Sequence, residues 1–329
     1  MTDVVRGPFF DELSVGRVFD RAPSLTLTRA HAAVHQAIVG DRLRLPLDEE
    51  LAASVVGKAP VAHPALVWDL AIGQSTLVTQ HVRANLFYRG LAFRRFPVLG
   101  DTLSTVTEVA GLRQNRKKPG RAATGMALLR VRTTDQHDRP VLDFHRCAML
   151  PMSAQDVDTG HHDDLDVPAR PASGNGPAAS WRLDVFRERS PGEHFAGMSP
   201  GRTWHVAGAD VVSAAPELAR LTLNIAAVHH DEHAAGGRRL VYGGHTIGLA
   251  LAQVTRAIPD VVTVLAWDGC DHVAPVYEGD AVTSTVTAES VQPLDSGGGV
   301  AWLRVDSDAR TGETPPRRVL TWRLAVLLA

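Results

Sequence analysis

Three short blocks occur twice in this chain, in the same order, and that duplication constrains the fold more than any other feature. Phe10 is followed by Gly16-Arg17, and Phe195 by Gly201-Arg202. Both spell F-x5-G-R, the second copy lying 185 residues after the first. Gly100-Asp101-Thr102-Leu103-Ser104-Thr105 returns as Gly279-Asp280-Ala281-Val282-Thr283-Ser284, 179 residues on. The third pair sets LLRVRTTDQHDRPVLDFHRCAML beside WLRVDSDARTGETPPRRVLTWRLAVLL. One unit is therefore used twice. The halves are residues 1–152 and 181–329. Residues 153–180, rich in Asp, Gly, Pro, Ala and His and without apolar periodicity, read as a linker. The His161-His162-Asp163-Asp164 run inside it reads as solvated linker, not as a metal site.

Each half has the same internal plan. A short strand follows the Gly-Arg turn, and a variable segment leads to an apolar helix, about 64–78 in the first half and 244–258 in the second. Both helices are apolar around most of their circumference, so both should be buried. Long alternating or β-branched strands follow, such as 101–109, 126–133 and 141–150. Hairpin turns join them at Lys118-Pro119-Gly120 and at 296–299. A buried helix wrapped by an antiparallel sheet, twice over, is an α+β arrangement that describes a double hot-dog fold.

The 329 residues suffice for two such units with real cores. A net charge of −2 gives no bulk attraction to nucleic acid or to an anionic membrane. No apolar run approaches the ~20 residues that span a bilayer. The start of the chain lacks the pattern of a signal peptide. Cys147 and Cys270 have neither zinc-ligand spacing nor the look of a disulfide framework. A cytoplasmic location is expected, with no metal.

Chemistry-bearing residues concentrate between Leu221 and Leu251. Gly243-Gly244 begins the second apolar helix, where N–H groups lack partners and the helix dipole is positive. A thioester or enolate oxygen could rest against the Gly244 N–H as in an oxyanion hole; a tight turn into the helix explains the glycines equally well. His229 lies a short loop ahead and is the natural proton-transfer residue, although a lone histidine is more often a satisfied core or surface residue. His229-His230-Asp231-Glu232-His233 lacks the order of a zinc-binding helix motif.

Several of these residues carry a resemblance. Asn224 with Val228-His229, the run Gly237-Arg238-Arg239-Leu240-Val241-Tyr242-Gly243-Gly244-His245, and His272-Val273-Ala274-Pro275 before Gly279-Asp280 resemble MaoC-like hydratases. The likeness is greatest to the mesaconyl-CoA hydratase (β-methylmalyl-CoA dehydratase) branch. The first half resembles the same branch at Asn85-Leu86 with Tyr88, at Gly100–Leu103, and at Arg132-Thr133-Thr134 with Pro140–Asp143. The resemblance spans almost the whole chain outside the linker.

The resemblance implies a lyase acting on a coenzyme A thioester, adding or removing water at the 2,3-position of an enoyl-CoA. His229 matches the family's catalytic histidine, and Gly244 the glycine whose N–H polarises the thioester carbonyl. Asn224 stands where many relatives carry the catalytic aspartate. An amide is no base at neutral pH but can orient water, so proton transfer falls to His229 and water positioning to Asn224. Gly243, Tyr242 and His245 are assigned to substrate binding. Arg238, Arg239, Arg94 and Arg95 are the candidates for meeting the phosphates of CoA. The first half reads as a non-catalytic scaffold that contributes to the pocket. If Asp41 is set against Asn224, Pro46 falls where the histidine would be, and Pro64 falls near the position of Gly244. CoA belongs to the substrate, and no cofactor is expected. Two other readings stand: a hot-dog acyl-CoA thioesterase and an inactive acyl-CoA-binding protein. A pseudo-dimeric monomer and a homodimer are both compatible with the sequence.

Overall fold

A computed structural model describes residues 5–57, 60–168 and 174–329. The first half runs β1 (Val18–Phe19), β2 (Leu25–Thr26), α1 (Arg29–Val39), α2 (Arg44–Leu47), α3 (Glu49–Val56), α4 (Pro64–Gln74), β3 (Ala84–Phe93), β4 (Thr102–Gln114), β5 (Thr124–Thr134) and β6 (Pro140–Pro151). The second runs α5 (Leu183–Arg189), β7 (Thr203–His205), β8 (Asp210–Val211), α6 (Ala215–Leu221), α7 (Gly243–Ala257), β9 (Val261–His272), β10 (Ala281–Pro293), β11 (Gly299–Arg310) and β12 (Arg317–Leu328). The strands form one twelve-stranded antiparallel sheet, with long strands in the order β4-β5-β6-β3-β9-β12-β11-β10. The two halves join where β3 pairs with β9, Tyr88 opposite Cys270 and Arg89 opposite Gly269. This is a double hot-dog: each half of the sheet wraps one central helix.

The repeated blocks are the joints of the unit. Gly16 and Gly201 adopt left-handed φ of 83° and 86°. Their N–H groups donate to Val109 O and Ala288 O, at 2.8 and 2.7 Å, where β4 and β10 each carry a register shift. The rings of Phe10 and Phe195 occupy the space that a Cβ on Gly125 or Gly299 would take, so these aromatic–glycine pairs fix the chain ahead of each turn to the sheet. Asp101 Oδ2 accepts from the Val98 N–H (2.9 Å) and Asp280 Oδ2 from the Tyr277 N–H (3.1 Å), tying off the loop before β4 and before β10.

Both central helices are buried, as their all-round apolarity requires. Every residue of α4 is buried, and so is α7 from Gly244 to Thr255. The segment before each helix crosses to the other half. Gly73 of α4 has no room for a Cβ because Thr222 O lies in the way, and Val39 crowds Gly248 of α7 in the same manner. Ile225 N–H donates to Thr76 Oγ1 (3.0 Å) and Ala227 N–H to Gln80 O (3.1 Å). The loop carrying Asn224 and His229 is thereby held against the first half.

The linker is more ordered in part than its composition implies. Gln114 N–H donates to His161 O and Asp163 N–H to Leu112 O, and Leu165 is buried. This segment covers part of the exposed edge of β4. Asp163 Oδ2 accepts from the Leu112 N–H at 2.9 Å. Among the described residues no group of three or more His, Cys, Asp or Glu could hold a metal ion. Residues 169–173 of the linker lie outside the described residues. No helix of the described residues is long and apolar enough to cross a membrane.

Candidate functional site

A cavity of about 440 Å³ opens between the halves. The first half supplies Ile72 at the C-terminal end of α4, Thr76 in the turn that follows it, the start of β3 (Asn85, Tyr88) and Arg146 of β6. The second supplies Asn224, His229, Tyr242, Gly243, Thr246 and His272. Among the described residues no Asp or Glu lines it, and the charged lining residues are Arg146 and the exposed Arg83.

His229 is 8% exposed and ends a short helical turn, 227–229. Its Nδ1 lies 2.9 Å from Leu240 O. A carbonyl only accepts, so Nδ1 carries the proton and Nε2 keeps a free lone pair. Burial pushes the imidazole down to about 4, chiefly by desolvating the cation. At neutral pH His229 is therefore a neutral base of fixed tautomer. Asn224 is buried; its Oδ1 accepts from the Ala226 N–H at 3.0 Å, which leaves the amide NH2 as its free polar group.

The helix start stands opposite. Tyr242 is the N-cap of α7 but its side chain makes no capping bond. The first N–H groups of the helix thus lack a side-chain acceptor, at the positive end of the dipole. Gly243 lines the cavity, and a Cβ there would meet His272 Nε2 at 2.8 Å. Gly244 sits one residue behind. A Cβ there would strike Asp69 Oδ1 at 2.1 Å and the Tyr242 ring at 2.4 Å. Both glycines are therefore demanded by close packing; Gly243 lines the cavity and Gly244 adjoins it. The Tyr242 hydroxyl donates to Asp69 O and Oδ1 (3.0 and 3.1 Å), and its ring lies 5.9 Å from that of His229. Asp69 Oδ2 in turn accepts from His35 Nε2 at 3.0 Å. A buried chain of side chains from α1 and α4 thus braces a wall of the second-half site.

Of the sequence candidates, the fold brings Asn224, His229, Tyr242 and Gly243 to the cavity, with Gly244 adjoining. Five others belong elsewhere. His245 is fully buried, feels the charge of His35, and finds no partner for either ring nitrogen among the described residues. Arg238 is held by Asp280 (3.0 Å) and stacks on Tyr277; Arg239 pairs with Glu278. These arginines pin one loop to the next instead of facing the cavity. Arg95 pairs with Asp101 (2.8 Å) and Asp135 (2.5 Å), and Arg94 is an exposed residue beyond the end of β3. One register point also shifts. α4 begins at Pro64 and α7 at Gly243, so Pro64 stands against Gly243 and Ala65 against Gly244.

Sequence reasoning missed Arg146 and His272 as site residues. Arg146 shares the inward face of β6 with Phe144 and Ala148, and a charge on a buried face was the available signal. His272 carries no such signal. Its Nε2 is buried without a partner among the described residues, and burial pushes the imidazole down to about 4.

No family model matches the chain. Two curated relatives do. The β-methylmalyl-CoA dehydratase of Chloroflexus aurantiacus is 27% identical over 297 residues, covering 84% of this chain and 80% of the relative. The mesaconyl-CoA hydratase of Cereibacter sphaeroides is 26% identical over 316 residues, covering 91% and 88%. Among solved structures, a conserved hypothetical protein of Mycobacterium tuberculosis, described as having a double hot-dog fold, superposes with a TM-score of 0.91. It is 56% identical and is matched over 99% of this chain and 100% of its own.

Proposed function

Because this chain belongs to the MaoC-like double hot-dog family, we propose that it is a hydratase/dehydratase of a 2,3-enoyl-CoA thioester. The observation that carries this reading is a neutral histidine of fixed tautomer, His229, sharing one cavity with the uncapped start of α7.

In the hydration direction the thioester oxygen lies against the N–H groups of Gly243 and Gly244. The Asn224 amide NH2 holds a water molecule. His229 Nε2 takes one proton as the water oxygen bonds to C3, and the double-bond electrons move to the thioester as an enolate held by the helix start. The His229 Nε2–H then returns that proton to C2. One imidazole acting on one face gives syn addition, and dehydration is the reverse. No cofactor enters; CoA leaves as part of the product. The first half is non-catalytic and serves as scaffold and as a wall of the pocket.

The finer reading is a small branched acyl group of the mesaconyl type, supported by the names of the two curated relatives. The test is to offer mesaconyl-CoA and crotonyl-CoA to wild type and to His229→Ala. Loss of the conjugated thioester absorbance, with a mass gain of one water, is expected for wild type alone. Release of free CoA would instead make it a thioesterase. No change in either ester would overturn the reading.

A further inference from the structure

The cavity holds a second imidazole besides His229. His272 ends β9, lines the cavity and is half-buried, while its Nε2 is buried and meets no partner among the described residues. The Nε2–Cε1 edge of its ring faces the start of α7. A Cβ on Gly243 would lie 2.8 Å from Nε2 and 3.1 Å from Cε1. A buried ring nitrogen left unpaired is costly, and a bound ligand removes that cost. The Tyr88 ring meets the imidazole edge to face, with centroids 5.9 Å apart. Burial, helped by the charge of Arg146, pushes His272 down to about 4, so it is neutral at pH 7.

In the first half the same position is apolar. Seven residues ahead of the repeated Gly-Asp, the second half carries His272 and the first carries Phe93. Each ends its strand opposite a leucine, His272 pairing with Leu320 and Phe93 with Leu142. Phe93 is buried and packs on Trp68 and Phe96, with centroids 6.4 and 4.8 Å apart. A phenyl ring thus satisfies the packing of this strand end. The imidazole stands in the copy that has the open cavity, and it turns a nitrogen toward the helix start.

We propose that His272 is a further catalytic residue, whose Nε2–H donates to the thioester oxygen at the start of α7. The inference rests on the thioester reading of the cavity and adds a side-chain donor to it. The two imidazoles then divide the work by tautomer. Leu240 O holds the proton of His229 on Nδ1 and leaves Nε2 as the base. His272 Nε2 has no such partner, so the oxygen at the helix start selects the tautomer with the proton on Nε2. That proton is not transferred. As the enolate forms, negative charge grows on the oxygen and the hydrogen bond strengthens with it.

The test reads the carbonyl itself. Butyryl-CoA and methylsuccinyl-CoA, the saturated forms of crotonyl-CoA and mesaconyl-CoA, cannot be hydrated. Each is isotopically labelled at the thioester carbonyl, and its stretch is followed by infrared difference spectroscopy, beside calorimetric affinity and the hydration rate of the unsaturated ester that wild type prefers. Wild type should lower the stretch of the bound ester. His272→Leu should lose part of that downshift and lower kcat by about 10²-fold, the worth of one such donor, with affinity for the saturated ester changed less than about threefold. His272→Gln, whose amide reaches the place of Nε2, should keep the downshift and hold kcat within about tenfold of wild type. His272→Phe, the residue of the first half, should behave as His272→Leu and covers the case in which that variant does not fold. A downshift unchanged in His272→Leu, or equal losses of kcat in the leucine and glutamine variants, would make His272 a packing residue and overturn the proposal. A saturated ester that binds wild type without any downshift would overturn it as well and leave the thioester reading standing. Failure of wild type to bind either saturated ester would remove both.

Discussion

In the second half the chain enters its buried helix through Tyr242-Gly243-Gly244; in the first it enters through His63-Pro64-Ala65. The approaches are alike. Asp41 and Asn224 each accept, through Oδ1, the N–H two residues on. Thereafter they diverge. On the alignment that sets Asp41 against Asn224, Pro46 falls at the position of His229, and proline at the helix start, Pro64, removes the N–H that Gly243 retains. The sheets diverge too. Arg146 pairs with Leu129, four residues beyond Gly125, and Leu324 with Leu303, four beyond Gly299. Arg146 and Leu324 are thus counterparts, as are their partners Tyr88 and Trp267. Where the first half presents an arginine and a phenol, the second presents leucine and tryptophan. Trp68, Trp267 and Trp322 pack together there, with centroids 4.7 to 6.1 Å apart. Duplication lets one site be filled for stability while the other stays open.

The strongest break of this comparison is to remove the imidazole from one side and add it to the other. His229→Ala should lower kcat/KM for hydration by about 10²- to 10⁴-fold, the usual worth of a general acid–base group, with ester affinity kept. Pro46→His should gain nothing, since Pro64 denies that side its first helix N–H. A rate in His229→Ala within tenfold of wild type would end the assignment of His229. Next in size is Gly244→Ala, whose methyl would collide with Asp69 and Tyr242. Overpacking of this kind costs about 1–3 kcal/mol, and the displaced helix start should lower kcat more than tenfold. Kinetics and urea unfolding on the one variant would separate the two effects.

How much of this was legible in the chain follows from what each residue interacts with. The repeated blocks are readable because each is a local joint: a left-handed turn, an aromatic seated on a glycine, a loop-closing aspartate. The helix starts are readable for the same reason. Arg238, Arg239 and Arg95 misled because a sequence shows positive charge but not the carboxylate folded against it. His245 misled by sitting beside the two glycines, although a helix turns successive residues to different faces. Arg146 and His272 lie 83 and 43 positions from His229 in sequence, and only the pairing of strands across the sheet brings them to one cavity.

Acid should act on the buried imidazoles. His229, His245 and His272 are each pushed down by burial to about 4, from 6.5. Between those values the unfolded chain binds protons that the folded chain refuses. Stability is therefore full above pH 6.5 and falls as pH drops toward 4, by on the order of 3 kcal/mol for each histidine. His245 offers a clean subtraction, because its first-half counterpart 179 residues earlier is Leu66. His245→Leu should flatten the acid limb of a urea-midpoint profile and raise stability at pH 5, with kcat/KM within twofold of wild type. An unchanged profile would mean that His245 does not resist protonation.

The smallest effect concerns Asn224 itself. The first half shows what a carboxylate does at this turn, for His63 Nε2 lies 2.9 Å from Asp41 Oδ1. An aspartate at 224 would likewise draw on a neighbouring imidazole, and a nearby anion favours the imidazolium. Asparagine leaves His229 neutral well below its ordinary range. Asn224→Asp should therefore move the acid limb of kcat/KM upward from about 4 by roughly one unit, while activity above pH 7 changes little. A limb that does not move would mean that residue 224 and His229 do not share one electrostatic environment. The amide would then hold its loop through the Ala226 N–H and nothing more.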